Sequence, residues 1–387
     1  MSANTLTAIM PQLLARGLMS LREQAIMPRL VNGDYSSEAA QKGDTIDVPI
    51  PTAVAVRAVT PANTPPALVD STPAKVPIAL DQWYEAPFYL TDNELAQIDR
   101  NRHYIPMQVS EAIRSLANQV NSHVFSKYKG VYGYVGTAGT TPFGSDASAA
   151  INARKVLNQQ LCPRANRRAV IDFSAEAQAL ALASFANFEQ SGDQAVKIEG
   201  ELGRKYGFDW YTDDVVPTHT AGTITTGLIS KASTAYAVGV KTILATTAAS
   251  TGACALLVGD IITFAGDSQT YVLTAAATQP TAATDVTLSF EPGLKVAHVG
   301  SEAVSVKASH VVNLAFHRDA FALAMRPLAG STSDLSLGSQ ISSLTDPQTG
   351  ITLRLEVSRR HKAVEWSFDA LWGAALVRAP LACRIAG

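Results

Sequence analysis

Two stretches decide how this sequence is read: KGDTIDVPIP at residues 42–51 and VPIALDQWYEAPFYLTDNE at residues 76–94. In the first, Ile46, Val48 and Ile50 alternate with Thr45, Asp47 and Pro49; in the second, Val76, Ile78 and Leu80 alternate again. A period of two marks half-buried strands. Eight of the chain's 19 prolines lie between Pro49 and Pro87, and proline cannot donate to a sheet ladder. The strands therefore belong at a sheet edge or in the arms of a long protruding hairpin. Such a hairpin is barely stable alone, so something must lie against it. A stiff arm loses little entropy on ordering, which suits it to reach onto another subunit; the plainer reading is a long surface loop. Ile46, Val48, Ile50, Val76, Ile78, Leu80 and Trp83 are the candidate contacts of such an arm.

Working outward, Thr91-Asp92-Asn93-Glu94 has the form of a capping box, with Thr91 as the cap. Val109, Ile113, Leu116, Ala117, Val120 and Val124 then recur at helical spacing, while Glu111, Arg114, Asn118 and Asn121 fall elsewhere. Continuous over 92–127, this helix is about 50 Å long, a spine, with Pro106 as its candidate hinge. Toward the N-terminus, Leu6, Met10, Leu13 and Leu14 share one face of a short helix that Thr5 can cap. Pro28 and Asn32-Gly33-Asp34 are expected to end regular structure there.

Beyond the spine, 130–144 is a turn region with room for a short hairpin. Asp146 is placed to cap a helix over 147–161, RRAVIDF (167–173) reads as a strand, and Ser174 as the cap of a helix carrying Ala177, Leu180, Ala181 and Phe185. GELGRKYGFDWYTDDVVP (200–217) sets a turn at Gly207 before a strand at 208–211. From about 223 to 312 the texture changes to Ala, Thr, Gly and Val; between Ile243 and Phe290 the only charged residues are Asp260, Asp267 and Asp285. VGDIITFAGDSQTYVLT (258–274) holds two strand runs joined across Gly266-Asp267, a hairpin signature. Several short strands over this region predict an all-β insert, barrel-like or sandwich-like. Residues 311–323 are mostly apolar and 329–350 are loop-rich. Alternation at 351–357 and 364–368 predicts two strands turning at Arg359-Arg360-His361-Lys362, with the host sheet resuming at the C-terminus. Helices beside a small sheet make the host α+β.

Composition narrows the function. The 387 residues carry 31 Lys and Arg against 33 Asp and Glu, a net charge of -2, and only 17% are charged, against about 25% in an ordinary soluble domain. A polybasic condensing protein, an acidic disordered tail and a disulfide-held module are all excluded. The surface is either polar and neutral or covered by other subunits. Cys162, Cys254 and Cys383 form no CxxC pair and read as free thiols suited to a reducing cytosol. No secretory leader is legible at the start, and no run of 18 apolar residues points to a membrane span. There is no GxSxG, HExxH, phosphate-binding loop or GxGxxG opening a helix. The seven histidines never fall at a metal spacing. Asp260 and Asp267 sit in turns, where Asp bonds its own backbone. No catalytic, cofactor-binding or metal-binding residues are assigned, and the expectation is a non-enzyme, with a β-rich enzyme or binding protein as a distant alternative. Arg359, Arg360 and Lys362 are too few for strong nucleic-acid binding and are read as a candidate intersubunit turn or a solvated one.

The proline-bearing arm, the spine helix, GELGRKYGFDWYTDDVVP and the VGDIITFAG hairpin in a β insert, in this order, resemble the HK97-fold major capsid proteins of tailed bacteriophages. The branch with an inserted domain, that of the P22 coat protein, is most similar. The resemblance implies an N-terminal segment at 1–43, an extended loop at 44–90, and a peripheral domain with the spine at 91–165. It further implies an axial domain at 166–223 and 309–350, an inserted β domain at 224–308 and completing strands at 351–387. It implies pentamers and hexamers of one chain in an icosahedral shell, located in the virion and assembled in the host cytoplasm. The partners implied are a separate scaffolding protein, a portal protein and packaged double-stranded DNA held by weak nonspecific contact, with no membrane and no cofactor. Some relatives begin with a cleaved scaffolding region; the roughly 40 residues before the arm favour a separate scaffold. Bacterial encapsulins, which share the fold and usually lack such an insert, are the alternative.

Overall fold

The computed structural model describes residues 25–33, 42–50, 56, 59, 61, 73–92, 107–186, 202–224, 227–231, 235–247, 254–279, 284–328, 339–345 and 352–387. The expected N-terminal helix with Thr5, the capping-box Glu94 and the hinge Pro106 lie outside them. The chain divides into two units: Met1–Ser20, Gly33–Leu116 and Ala322–Val377 form the first, and Leu21–Asn32, Ala117–Phe321 and Arg378–Gly387 the second.

In the first unit, β1 (Thr45–Ile50) and β2 (Ala74–Ala79) form an antiparallel two-stranded ribbon with Ile46 opposite Ile78, Asp47 opposite Pro77 and Pro49 opposite Lys75. A ladder of two strands leaves both outer edges open, which is where prolines are tolerated. The alternation turns Val48 and Ile78 inward; with Leu80 they pack on Ala322, Ala324 and Leu371. The ribbon's base can come this close because Gly373 has no side chain: a Cβ there would stand 2.1 Å from the Ala79 carbonyl oxygen.

The same unit holds a five-stranded sheet. β3 (Gln82–Thr91) runs antiparallel to β24 (Ala363–Leu376), from Gln82 opposite Trp372 to Thr91 opposite Ala363. β24 also pairs with β23 (Thr352–Arg360), which pairs with β22 (Ser339–Thr345); β21 (Phe321–Arg326) completes the sheet. Register puts Leu355, Val357, Val364, Trp366, Phe368 and Phe88 on one face. There Phe88 stacks on Trp366 and Phe368 at 6.4 and 6.5 Å between ring centres. The expected loop at 329–350 therefore contains a strand, β22. Its sequence, SQISSLT, lacks aromatics and much branching, and its order comes from the ladder with β23, a long-range partner that local pattern does not reveal.

Helix α2 (Met107–Ser126) is the described part of the spine, about 30 Å of the expected 50. The apolar positions named from the sequence, Val109, Ile113, Leu116, Ala117, Val120 and Val124, are buried along it. Asn121, placed off that face by sequence, is buried too.

In the second unit the order of the central sheet is β4 (Gly133–Gly136), β25 (Ala382–Ala386), β20 (His310–His317), β5 (Arg167–Ile171), β7 (Phe208–Thr212) and β6 (Arg204–Lys205), with β8 (Thr218–His219) beside β20. β4 pairs in parallel with β25, so the turn region at 130–144 yields one sheet strand and no hairpin. The segment 351–387 is split: β23 and β24 lie in one sheet and β25 in another. Pro28 does not stop structure; it is the third residue of α1 (Ile26–Leu30), where its missing N–H costs nothing. In α3 (Ser148–Gln159) the first N–H bonds Asp146 Oδ1 at 2.8 Å, as its sequence position suggests. The cap of α4 (Phe173–Ala181) is Asp172, which accepts from the Ser174 N–H at 3.1 Å; Ser174 itself is helical.

Within this unit, β10 (Leu228–Ser230), β12 (Thr242–Thr247), β17 (Val286–Glu291), β15 (Tyr271–Leu273), β14 (Ile261–Phe264) and β19 (Ala303–Val306) close, in that order, into a six-stranded barrel. Closure removes open edges, which explains how so uncharged a stretch is stable. Its interior is filled by residues such as Ile243, Phe264, Tyr271, Leu288 and Phe290. β9 (Thr223–Ile224), β13 (Cys254–Leu256) and β16 (Ala277–Gln279) form a small side sheet, and β11 (Ala235–Tyr236) pairs with β18 (His298–Val299). The Gly266-Asp267 turn joins β14 to β15 as expected, with Asp267 Oδ1 accepting from the Gln269 N–H at 2.8 Å.

Candidate functional site

The seven arm residues named from the sequence separate into two groups. Val48, Ile78 and Leu80 are committed to the unit's own core. Ile46, Ile50 and Val76 are half-buried on the ribbon, and Trp83 on β3 is exposed. Trp83 is held in place: its ring N–H donates to Asp369 Oδ2 at 2.9 Å, and Arg354 binds the same carboxylate with Nε and Nη2 at 2.7 and 2.6 Å. The residues with most open apolar surface lie farther out, where Val56 is 100% and Val59 93% exposed. The sequence reading did not single them out, because Ala53-Val54-Ala55-Val56-Arg57-Ala58-Val59 carries no clear alternation against polar residues.

The basic turn is neutralised within its own chain. Arg359 Nη2 bonds Asp92 Oδ2 at 2.9 Å, and Arg360 pairs with Glu365. The turn itself is His361-Lys362, with Lys362 in the left-handed region (φ +55°), and the Lys362 carbonyl accepts from the Asp92 N–H. Register places Arg354, Glu356, Arg360, Glu365, Asp369 and Glu85 on one face of the sheet, two guanidiniums among four carboxylates.

A second feature was not legible at all. Where the barrel meets the central sheet, a polar cluster is sealed from solvent. Tyr128 Oη lies 3.0 Å from His219 Nδ1, and His219 Nε2 lies 2.9 Å from Asp260 Oδ1. Asp260 also accepts from the Leu257 and Gly222 N–H groups, and Gly222 leaves no room for a Cβ, which would fall 2.3 Å from the Ala255 carbonyl oxygen and 2.8 Å from Asp260 Oδ2. Asp260 thus does bond its own turn, as expected, and reaches a distant histidine as well. Arg384, wholly buried on β25, spans to the Gly259 carbonyl at 2.9 Å, with its guanidinium 5.0 Å from the Tyr128 ring centre. Burial pushes its pKa down to about 10. His310 packs on Tyr134 and His219 at 5.2 and 5.4 Å. Burial first, with Arg384 and His219 adding, lowers its pKa to about 4 against the opposing pull of the Ala308 carbonyl and Asp260.

Among the described residues no three His, Cys, Asp or Glu side chains are placed to hold a metal ion, and no helix is long and apolar enough to cross a membrane. The three cysteines are free and buried, and burial raises each thiol, Cys383 to about 12, away from nucleophilic use.

No protein-family model and no curated protein matches this sequence. Among solved structures, one of Mycobacterium phage Che8 aligns over 93% of this chain and 90% of its own at 14% identity, with a TM-score of 0.48. The capsid of cyanophage P-SCSP1u aligns over 93% and 87% at 11% identity and a TM-score of 0.49. A virus-like particle from Pyrococcus furiosus aligns over 97% of each chain at 7% identity and a TM-score of 0.41. Such identities assign no residue roles.

Proposed function

We propose that this chain is the repeating subunit of a closed protein shell, the major capsid protein of a tailed phage with the HK97-type fold. The observation that carries the reading is the arm: a proline-limited ribbon anchored at its base by Val48, Ile78 and Leu80, with Val56 and Val59 left fully exposed beyond it. Burying each valine against a neighbour contributes about 1.5–2 kcal/mol, multiplied around every ring of subunits. The anchored base fixes the direction of reach, so little entropy is lost on docking. The low charge of the chain suits surfaces that become buried between copies.

The finer assignment follows the sequence: an arm at 44–90, a spine-bearing peripheral region at 91–165, axial segments at 166–223 and 309–350, an inserted domain at 224–308 and closing strands at 351–387. The barrel supports the inserted-domain branch, that of the P22 coat protein, over an encapsulin. A separate scaffolding protein, a portal and weakly held double-stranded DNA are the partners this reading brings, and the virion is its location. Size-exclusion chromatography with light scattering tests it: rings of five or six copies, or larger particles, are expected. A monomer at every concentration overturns it.

A further inference from the structure

We infer that the junction between the barrel and the central sheet is an acid-released lock whose trigger is the buried imidazole of His310. The junction joins elements far apart in the chain: Asp260 and Gly259 from the turn between β13 and β14, His219 on β8, His310 on β20, Cys383 and Arg384 on β25, Tyr134 on β4, and Tyr128 after α2. Lys307 stands at its edge, 5.9 Å from the Tyr134 ring centre. An apolar contact of Ile261 and Val272 on Tyr132 flanks the cluster.

The charges decide its behaviour. With both imidazoles neutral, the interior holds one carboxylate, Asp260, and one guanidinium, Arg384. Asp260 can only accept, so His219 presents Nε2–H to it and Nδ1 takes the Tyr128 hydroxyl proton. His310 donates Nδ1–H to the Ala308 carbonyl at 2.8 Å, which leaves Nε2 as a bare, buried acceptor with no partner. A proton added at Nε2 creates a second cation beside Arg384. The one carboxylate nearby is already taken by His219, Gly222 and Leu257. A buried charge without a bonded partner is costly, and it is relieved when the junction opens to water. His298, on β18 beside the barrel, has different surroundings, lying between the Glu302 and Asp267 carboxylates. Acid should therefore part the barrel from the sheet before it melts the barrel.

The sign follows from linkage. A histidine whose pKa is depressed in the closed state and ordinary in the open one favours closure above about pH 6.5 and loses that contribution as the pH falls toward 4. Hydrogen exchange read by mass spectrometry on the full chain, at pH 7.5 and 4.5 in one oligomeric state and corrected for intrinsic rates, is the test. Protection at 217–222, 255–262 and 308–312 is expected to fall by tens-fold at the lower pH, while 271–273 and 286–291 inside the barrel hold theirs. His310→Phe, which keeps the ring against Tyr134, should remove most of that fall. Equal protection at both pH values in the wild-type chain, or loss that includes the barrel strands equally, overturns the lock. So does a His310→Phe variant that folds and responds to acid like the wild type.

Discussion

At the scale of single residues, two buried groups tie this fold to pH in opposite directions. Asp213 accepts from Asn121 Nδ2 at 3.1 Å and from the Val215 N–H at 3.0 Å, but burial outweighs these bonds and raises its pKa to about 6. An acid raised on folding contributes stability that is full below about pH 4 and lost as the pH climbs through 6, the reverse of His310. Asp213→Asn should therefore gain stability relative to the wild type as pH rises from 4 to 6, whatever fixed cost the Asn121 bond imposes. Urea denaturation across that range checks it, and a constant gap between the two proteins contradicts it. Asp369 gives a larger effect. Replacing it with Ala removes the bidentate partner of Arg354, which keeps Glu356 at 3.6 Å, and the acceptor of the Trp83 N–H, at a cost of about 1–3 kcal/mol. Arg359→Ala, which breaks an exposed pair, should cost under about 1 kcal/mol in the same assay. None of these three values could be read from sequence. TDDVVP gives no sign that Asp213 is buried until Asn121 turns inward to it.

Among the elements, the arm is the one whose role can be isolated. Removing residues 52–72 and joining 51 to 73 with a short Gly-Ser turn retains β1, β2 and β3. Removing more would take β1 or β2, whose Val48 and Ile78 are buried in this unit's core. The shortened chain is expected to keep its melting temperature within a few degrees and to lose the ability to form closed particles. Normal particles would refute the arm's part in assembly. Gly373→Val tests the base in the other direction. Its side chain collides with the Ala79 carbonyl, and a destabilisation of about 2–4 kcal/mol by chemical denaturation is expected. Much at this scale was legible: the period-two runs of β1, β2, β23 and β24, the helical face of α2, and the hairpin at Gly266-Asp267. What was hidden depends on partners far away in the chain. β22 is a strand only because β23 lies beside it, and β4 is a strand only because β25 does. Of the seven arm positions all but Leu80 lie in strands, yet alternation alone does not tell an inner face turned to the chain's own core from one turned to a neighbour.

At the scale of the whole molecule, an α+β chain with a closed barrel among its strands, an anchored arm and few charges is what the proposed shell subunit requires. Among the described residues the three thiols are buried, and Asp260 and Asp369 are committed to hydrogen bonds within the chain. The most direct measurement is electron cryomicroscopy of the purified chain under assembly conditions, with or without a co-expressed scaffold. Closed particles in which Val56 and Val59 of each subunit lie against a neighbouring copy are the predicted result. Dispersed single subunits, or particles whose arms fold back on their own chain, would contradict the account.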